Sequence, residues 1–251
     1  MNSENNSKNN SKSKKRRWRP FYNFCYDFVK ITGVIPALIW LRPRIYRPYG
    51  RKLPKGAVLI SSNHITMIDP IVVLLAFPTR RLNSLATKDL YSSPLKRFFF
   101  NQMHCIEVDK NNFTVSAFHE VVSRLKDGRA VVIFPEGEVN KTGDDTMLAF
   151  KSGAVLMAHR AAAPILPMYI VKRDKWYRRQ RIVIGEPFSV NAEVGLMPSM
   201  DQLSAASDTL REKEIVLREY FDSLPIGKKL AQVAKSNKSN EKGEKKDEQK
   251  V

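Results

Sequence analysis

The sequence predicts an α/β fold, a largely parallel sheet flanked by helices, behind an N-terminal amphipathic helical membrane anchor. Three observations predict it. Short apolar runs at 57–61, 130–134 and 165–171 have the length and β-branched content of buried strands. Stretches between such runs place apolar residues at helical spacing, as at Phe113, Ala117, Val121, Val122 and Leu125. These stretches are long enough for the crossovers that parallel strands need. Third, the 43% apolar content is that of a chain with a real core.

The elements follow in order. Residues 57–61 read as a strand. A short helix over 70–77 is announced by Asp69 at the cap and Pro70 in the first turn. A weaker strand at 81–86 precedes a helix at 94–102 and a short strand at 105–108. The helical face of 113–126 stops at Gly128. Residues 130–134 form an apolar strand, 156–162 a helix, and 165–171 and 181–184 strands. A charged amphipathic helix spans 201–224. The chain therefore divides into a disordered basic tail (1–17), a helical membrane-interface segment (18–50), a folded domain (51–225) and a disordered Lys-rich tail (226–251).

The formal charge is +18. Residues 1–20 hold seven Lys/Arg against one Glu, and 228–251 hold eight Lys against four acids, so the ends inflate a body that is still basic. Such a surface attracts polyanions: anionic lipid, acidic carrier proteins, phosphorylated substrates or nucleic acid. No recognisable RNA-binding module or stacking sheet is present, so nucleic acid is not an expected partner. Cys25 and Cys105 have no metal-type spacing and read as reduced thiols, and the four scattered histidines give no metal site. The Asn/Ser-rich start lacks a signal-peptide pattern. Residues 31–41 are about half the roughly 20 residues a spanning helix needs, and Pro36 interrupts them. Flanked by Lys30, Arg42 and many aromatics, this segment reads as lying in a membrane interface without crossing it.

Two strand ends carry the chemistry. After the first strand comes Asn63-His64, with Asp69 five positions beyond His64. An imidazole takes a proton from a hydroxyl when an acceptor holds its other nitrogen, and a carboxylate does that. Five residues along a helix turn through about 140°, so the pair must lie on a loop that leads into a helix. At the end of the 130–134 strand comes Phe134-Pro135-Glu136-Gly137, an acid at the tip of a turn with Gly137 supplying a permissive backbone angle. In open α/β sheets ligands collect beyond the carboxyl ends of strands. Lys88 and Lys110, each just past a further strand, are candidate phosphate contacts, and Phe150-Lys151-Ser152-Gly153 reads as packing or a pocket wall.

In order and spacing, Asn63-His64-xxxx-Asp69, Lys88 with Asp109, Phe134-Pro135-Glu136-Gly137 and Pro164-Ile165-Leu166-Pro167 resemble the four-block signature of the glycerolipid acyltransferases, above all the bacterial 1-acyl-glycerol-3-phosphate acyltransferases. The likeness covers roughly residues 20–190. It implies the glycerolipid acyltransferase fold, with 51–225 as the acyltransferase domain. It implies an enzyme that moves a fatty acyl group from acyl-CoA or acyl carrier protein to the free hydroxyl of a lysophospholipid. The first acceptor it implies is 1-acyl-glycerol-3-phosphate, giving phosphatidic acid. By this resemblance His64 is the general base, Asp69 its brace, Glu136 the group that orients the acceptor's glycerol, and Lys88 a phosphate contact; Asn63, Lys110 and Gly137 belong to the substrate site. No cofactor beyond the acyl thioester is implied. The expected location is the cytoplasmic face of the membrane, peripheral or monotopic, with membrane phospholipid, lysophospholipid and acyl donor as partners.

Two positions depart from the pattern. The family's Thr-Arg after the third block is here Glu138-Val139, and the arginine closing the second block is here Lys110. Lysine keeps the charge without the bidentate fork. Lys88, Lys110 and Lys141 or Lys151 would then have to carry a phosphate. Two alternatives stay open: acyl transfer to another lysolipid or an amino-acid lipid, and a non-catalytic basic membrane-binding protein.

Overall fold

A computed structural model describes residues 24, 26–33, 35–50, 54–109, 114–140, 146–192, 194–195, 197–226 and 228. The expected tails, apart from residues 226 and 228, lie outside the described residues, as do Lys110, Lys141 and Cys25.

Seven strands form one sheet: β1 (Arg44–Tyr46), β2 (Val58–Ser62), β3 (Leu82–Thr87), β4 (Ile106–Val108), β5 (Ala130–Ile133), β6 (Ile165–Val171) and β7 (Arg181–Ile184). The spatial order is β1-β7-β6-β2-β5-β3-β4. From β6 across to β4 every neighbouring pair is parallel. β7 pairs antiparallel with β6, and β1 joins β7 in parallel at the edge, so these two strands run opposite to the other five. The helices are α1 (Asp69–Ala76), α2 (Pro94–Gln102), α3 (Val115–Lys126), α4 (Gly153–Ala161) and α5 (Met200–Ser223).

Alternation sorts the strand side chains onto two faces. Val58, Ile60, Val132, Met168 and Ile182 pack with α1 and Leu41 on one side. Leu59, Val131, Ile133 and Ile165 pack with α3, α4 and the start of α5 on the other. The far half of α5 closes a third cluster through Leu217 and Phe221 against Tyr169 and Val183. Thr114 caps α3, and Ser199 caps α5 in a reciprocal box with Gln202, which satisfies helix-end N–H groups that the core cannot reach.

The segment expected to be helical over 18–50 is helical at residues 24, 26–33 and 35–41 but ends in a strand. β1 is too short to announce itself. It forms because β7 offers an open edge, and Arg44 N–H donates to Gln180 O at 2.8 Å. One stripe of the helical segment packs on the body. Tyr26 is fully buried and accepts from Leu82 N–H, and Lys30 donates to the carbonyls of Phe77 and Arg80. The opposite stripe, Phe24, Phe28, Ile31, Ile35 and Ile39, is exposed. Among the described residues no helix is long and apolar enough to cross a membrane.

Candidate active site

Because β2 to β6 run in parallel, the chain leaves each of them on the same rim of the sheet. The loop after β2 carries His64, and the turn after β5 carries Phe134 to Gly137. Lys88 follows β3 in a 3-10 turn, and Asp109 follows β4.

His64 Nδ1 lies 2.9 Å from Asp69 Oδ2. That carboxylate oxygen also accepts the N–H of Ile65 at 2.6 Å and of Thr66 at 2.7 Å, and the Thr66 hydroxyl donates to Oδ1. Asp69 stands in the first turn of α1 with Pro70 behind it, but its side chain caps no helical N–H. It turns back and gathers the loop. With acceptors only on the aspartate, Nδ1 carries the proton, and Nε2 keeps the lone pair that a base needs. The imidazole stacks on Phe134, ring centroids 4.2 Å apart and planes at 22°. The ring is thus held from its edge and its face.

Glu136 is buried, with one oxygen accepting His64 N–H at 3.0 Å and the other Leu148 N–H at 3.2 Å. Burial pushes its carboxyl above the usual range, and the two N–H donors oppose that rise. It ties the histidine loop, the β5 turn and the segment before α4 together, and Asn140 N–H adds a bond to His64 O at 2.7 Å. Gly137 adopts φ +76°, and a Cβ there would come within 2.6 Å of Lys151 Nζ. The Lys151 ammonium therefore lies over the Phe-Pro-Glu-Gly turn. Its own backbone N–H donates to Pro135 O at 2.9 Å.

The other expected residues divide. Lys88 is exposed and pairs with Asp109 at 3.1 Å on the same rim. Asn63 is buried and uses both ends of its amide on the Ile170 peptide, at 3.0 and 2.7 Å. It braces β2 to β6 and also lines the cavity that Asp69, Glu136 and Val139 share. Lys110 falls outside the described residues. Val139 lines a neighbouring cavity with Asp69 and Glu136.

Glu214 was not visible in the sequence as part of this region. It sits on α5, fully buried, and accepts from Ser61 Oγ at 2.6 Å, just before the histidine loop. Burial pushes its carboxyl well above the usual range; the Ser61 hydroxyl and the Asn63 peptide N–H oppose the rise, and nearby Glu136 adds to it. The only sequence signal is a glutamate on the core-facing stripe between Leu210 and Leu217.

A cavity of about 370 Å³ opens beside His64 and Gly137. Its depth is apolar, with Leu85, Val108, Ile133, Ala154 and Met157, while Lys151 and Asp109 mark the polar part of its lining. The whole arrangement is a braced imidazole, a cation lining the same cavity and an apolar chamber of lipid-chain character. It can deprotonate a hydroxyl next to a bound aliphatic group.

Comparison with known proteins gives the chain's relatives. The Acyltransferase family profile matches residues 46–171. A protein of Bacillus subtilis named 1-acyl-sn-glycerol-3-phosphate acyltransferase is 26% identical over 212 residues, covering 81% of this chain and all of that protein. One of the same name from Borreliella burgdorferi is 27% identical over 78% of this chain and 77% of its own length. The crystal structure of the 1-acyl-sn-glycerophosphate acyltransferase of Thermotoga maritima shares the fold, with a TM-score of 0.57 and 19% identity over 86% of this chain and 84% of that one.

Proposed function

This chain belongs to the Acyltransferase family, and from that premise we propose that it acylates the free hydroxyl of 1-acyl-glycerol-3-phosphate, giving phosphatidic acid. His64 Nε2 takes the hydroxyl proton as the oxygen attacks the thioester carbonyl. Asp69 stabilises the imidazolium that forms. The tetrahedral intermediate collapses, the C–S bond breaks, and the imidazolium returns its proton to the departing thiolate. The products are an ester and a free thiol, and no cofactor beyond acyl-CoA or acyl carrier protein enters the balance.

The apolar cavity beside His64 takes an acyl chain. Lys151 and Lys88 supply positive charge for the phosphate and the developing oxyanion, in place of the missing arginine at Val139. Glu136 acts on the acceptor by fixing the loop that carries the base, with Asn63 behind it. The exposed stripe from Phe24 to Ile39 rests in the membrane interface, at its cytoplasmic face, where a lipid acceptor resides.

One observation carries the reading: the 2.9 Å contact that leaves Nε2 as the base. The test is thiol release from acyl-CoA in the presence of lysophosphatidic acid. Loss of a general base costs about 10²–10⁴-fold in rate, so His64→Ala should lose at least that much while its circular dichroism stays native. Undiminished release would refute the assignment. Val139 motivates a second acceptor class, and equal rates on acceptors with and without a phosphate would favour it.

A further inference from the structure

The β6–β7 connection, residues 172–180, has no part in the chemistry above, yet it leaves the same rim as His64. Lys172, Arg173, Lys175, Arg178, Arg179 and Arg181 stand against the single Asp174, which pairs with Arg178 at 3.3 Å. At its tip Trp176 is 72% exposed and Tyr177 49%, the rings edge to face at 5.9 Å. A large indole held in solvent among cations is an unusual use of tryptophan in a free surface.

The connection is fastened to the helical segment before β1. Arg173 lies over the Trp40 ring at 5.1 Å. Arg42 Nη2 donates to Tyr177 O at 2.6 Å, and Gln180 N–H to Leu41 O at 2.8 Å. Trp40 and Ile39 are themselves exposed, so the cationic, aromatic tip borders an exposed aliphatic stripe.

We propose that residues 172–181 form a second membrane contact, with Trp176 and Tyr177 at headgroup level and the surrounding cations on anionic phospholipid. This rests on the reading of the acceptor as a membrane lipid. Charge complementarity selects the anionic headgroup. The aliphatic border selects a bilayer over a nucleic acid, which has no use for it. A cavity of about 490 Å³ lies between this connection and the catalytic loop, with Asp69, Glu136 and Val139 on one wall and Arg173, Lys175 and Trp176 on the other. Seating the connection on a bilayer sets that cavity's outer wall at the lipid surface.

The test uses the full chain with Trp18→Phe and Trp40→Phe, which leaves Trp176 as the only indole. On phosphatidylglycerol vesicles with brominated acyl chains, Trp176 emission should shift to the blue and be quenched; phosphatidylcholine vesicles should do neither. Arg178→Ala with Arg179→Ala, neither of which lines that cavity, should weaken partitioning into the anionic vesicles by about tenfold or more, at several-fold per cation. Turnover of a short-chain acceptor in free solution should be unchanged in that variant, which also shows that it is folded. Protein that sediments with the vesicles while Trp176 emission stays unaltered overturns the proposal. So does absence of binding, or quenching by single-stranded RNA that vesicles fail to displace. Wild-type failure on the soluble acceptor would count against the acyltransfer reading alone, because the fluorescence result stands apart from catalysis.

Discussion

At the level of single residues, Asp69 does more than polarise a histidine. Its carboxylate collects His64 Nδ1, two peptide N–H groups and the Thr66 hydroxyl. Asp69→Asn places an NH₂ where one of those donors must go, so the loop loses an acceptor and the imidazole loses its tautomer. The expected result is a fall in kcat of about 10²–10⁴-fold with little change in KM, read by steady-state thiol release. A fall confined to KM would mean that Asp69 serves binding and not the base. The His64 and Asp69 pairing was legible because both lie within six residues on one loop. Glu214 was not, because 153 residues separate it from Ser61, and only the packing of α5 on the sheet brings them together.

Elements explain why the site is hollow. α4 begins at Gly153-Ala154, and these small residues leave room beside Ile133 and Met157 for the chamber next to His64. The sequence places 156–162 in a helix, and the observed helix starts three residues earlier, over a stretch whose small residues carry little apolar signal. Ala154→Leu should fill part of the 370 Å³ cavity. The variant should keep its activity on short acyl donors and lose it progressively on long ones, measured across a donor series. A uniform loss at every length would argue against this chamber as the acyl site. β1 illustrates the opposite limit: three residues cannot specify a strand, and the edge of β7 decides it.

For the molecule as a whole, the buried carboxyls make stability depend on pH. Glu214 and Glu136 both titrate above the ordinary value of 4.5. Raised carboxyl pKa values favour the protonated fold, so their contribution is full below that value and is lost as pH rises through the folded pKa. His104, pushed down to about 4 by burial, gives the opposite slope below its ordinary value of 6.5. Glu214→Gln removes one carboxyl titration and leaves the histidine background in place. Its denaturation midpoint relative to wild type should therefore rise between pH 5 and pH 8. Parallel curves would show that Glu214 ionises in the folded protein as it does in the unfolded chain, and would overturn its raised pKa.

The sequence by itself determined the strand–helix alternation, the histidine loop and the Phe-Pro-Glu-Gly turn. Periodicity and short-range spacing are local properties, and the chain carries them wherever it goes. The tertiary structure alone decided which strand ends share a rim, that Asn63 spends its amide on β6, that Lys151 covers Gly137, and that Trp176 meets Trp40 through Arg173. Those facts follow from strand order and helix packing, which bring distant residues together at separations that no local pattern records.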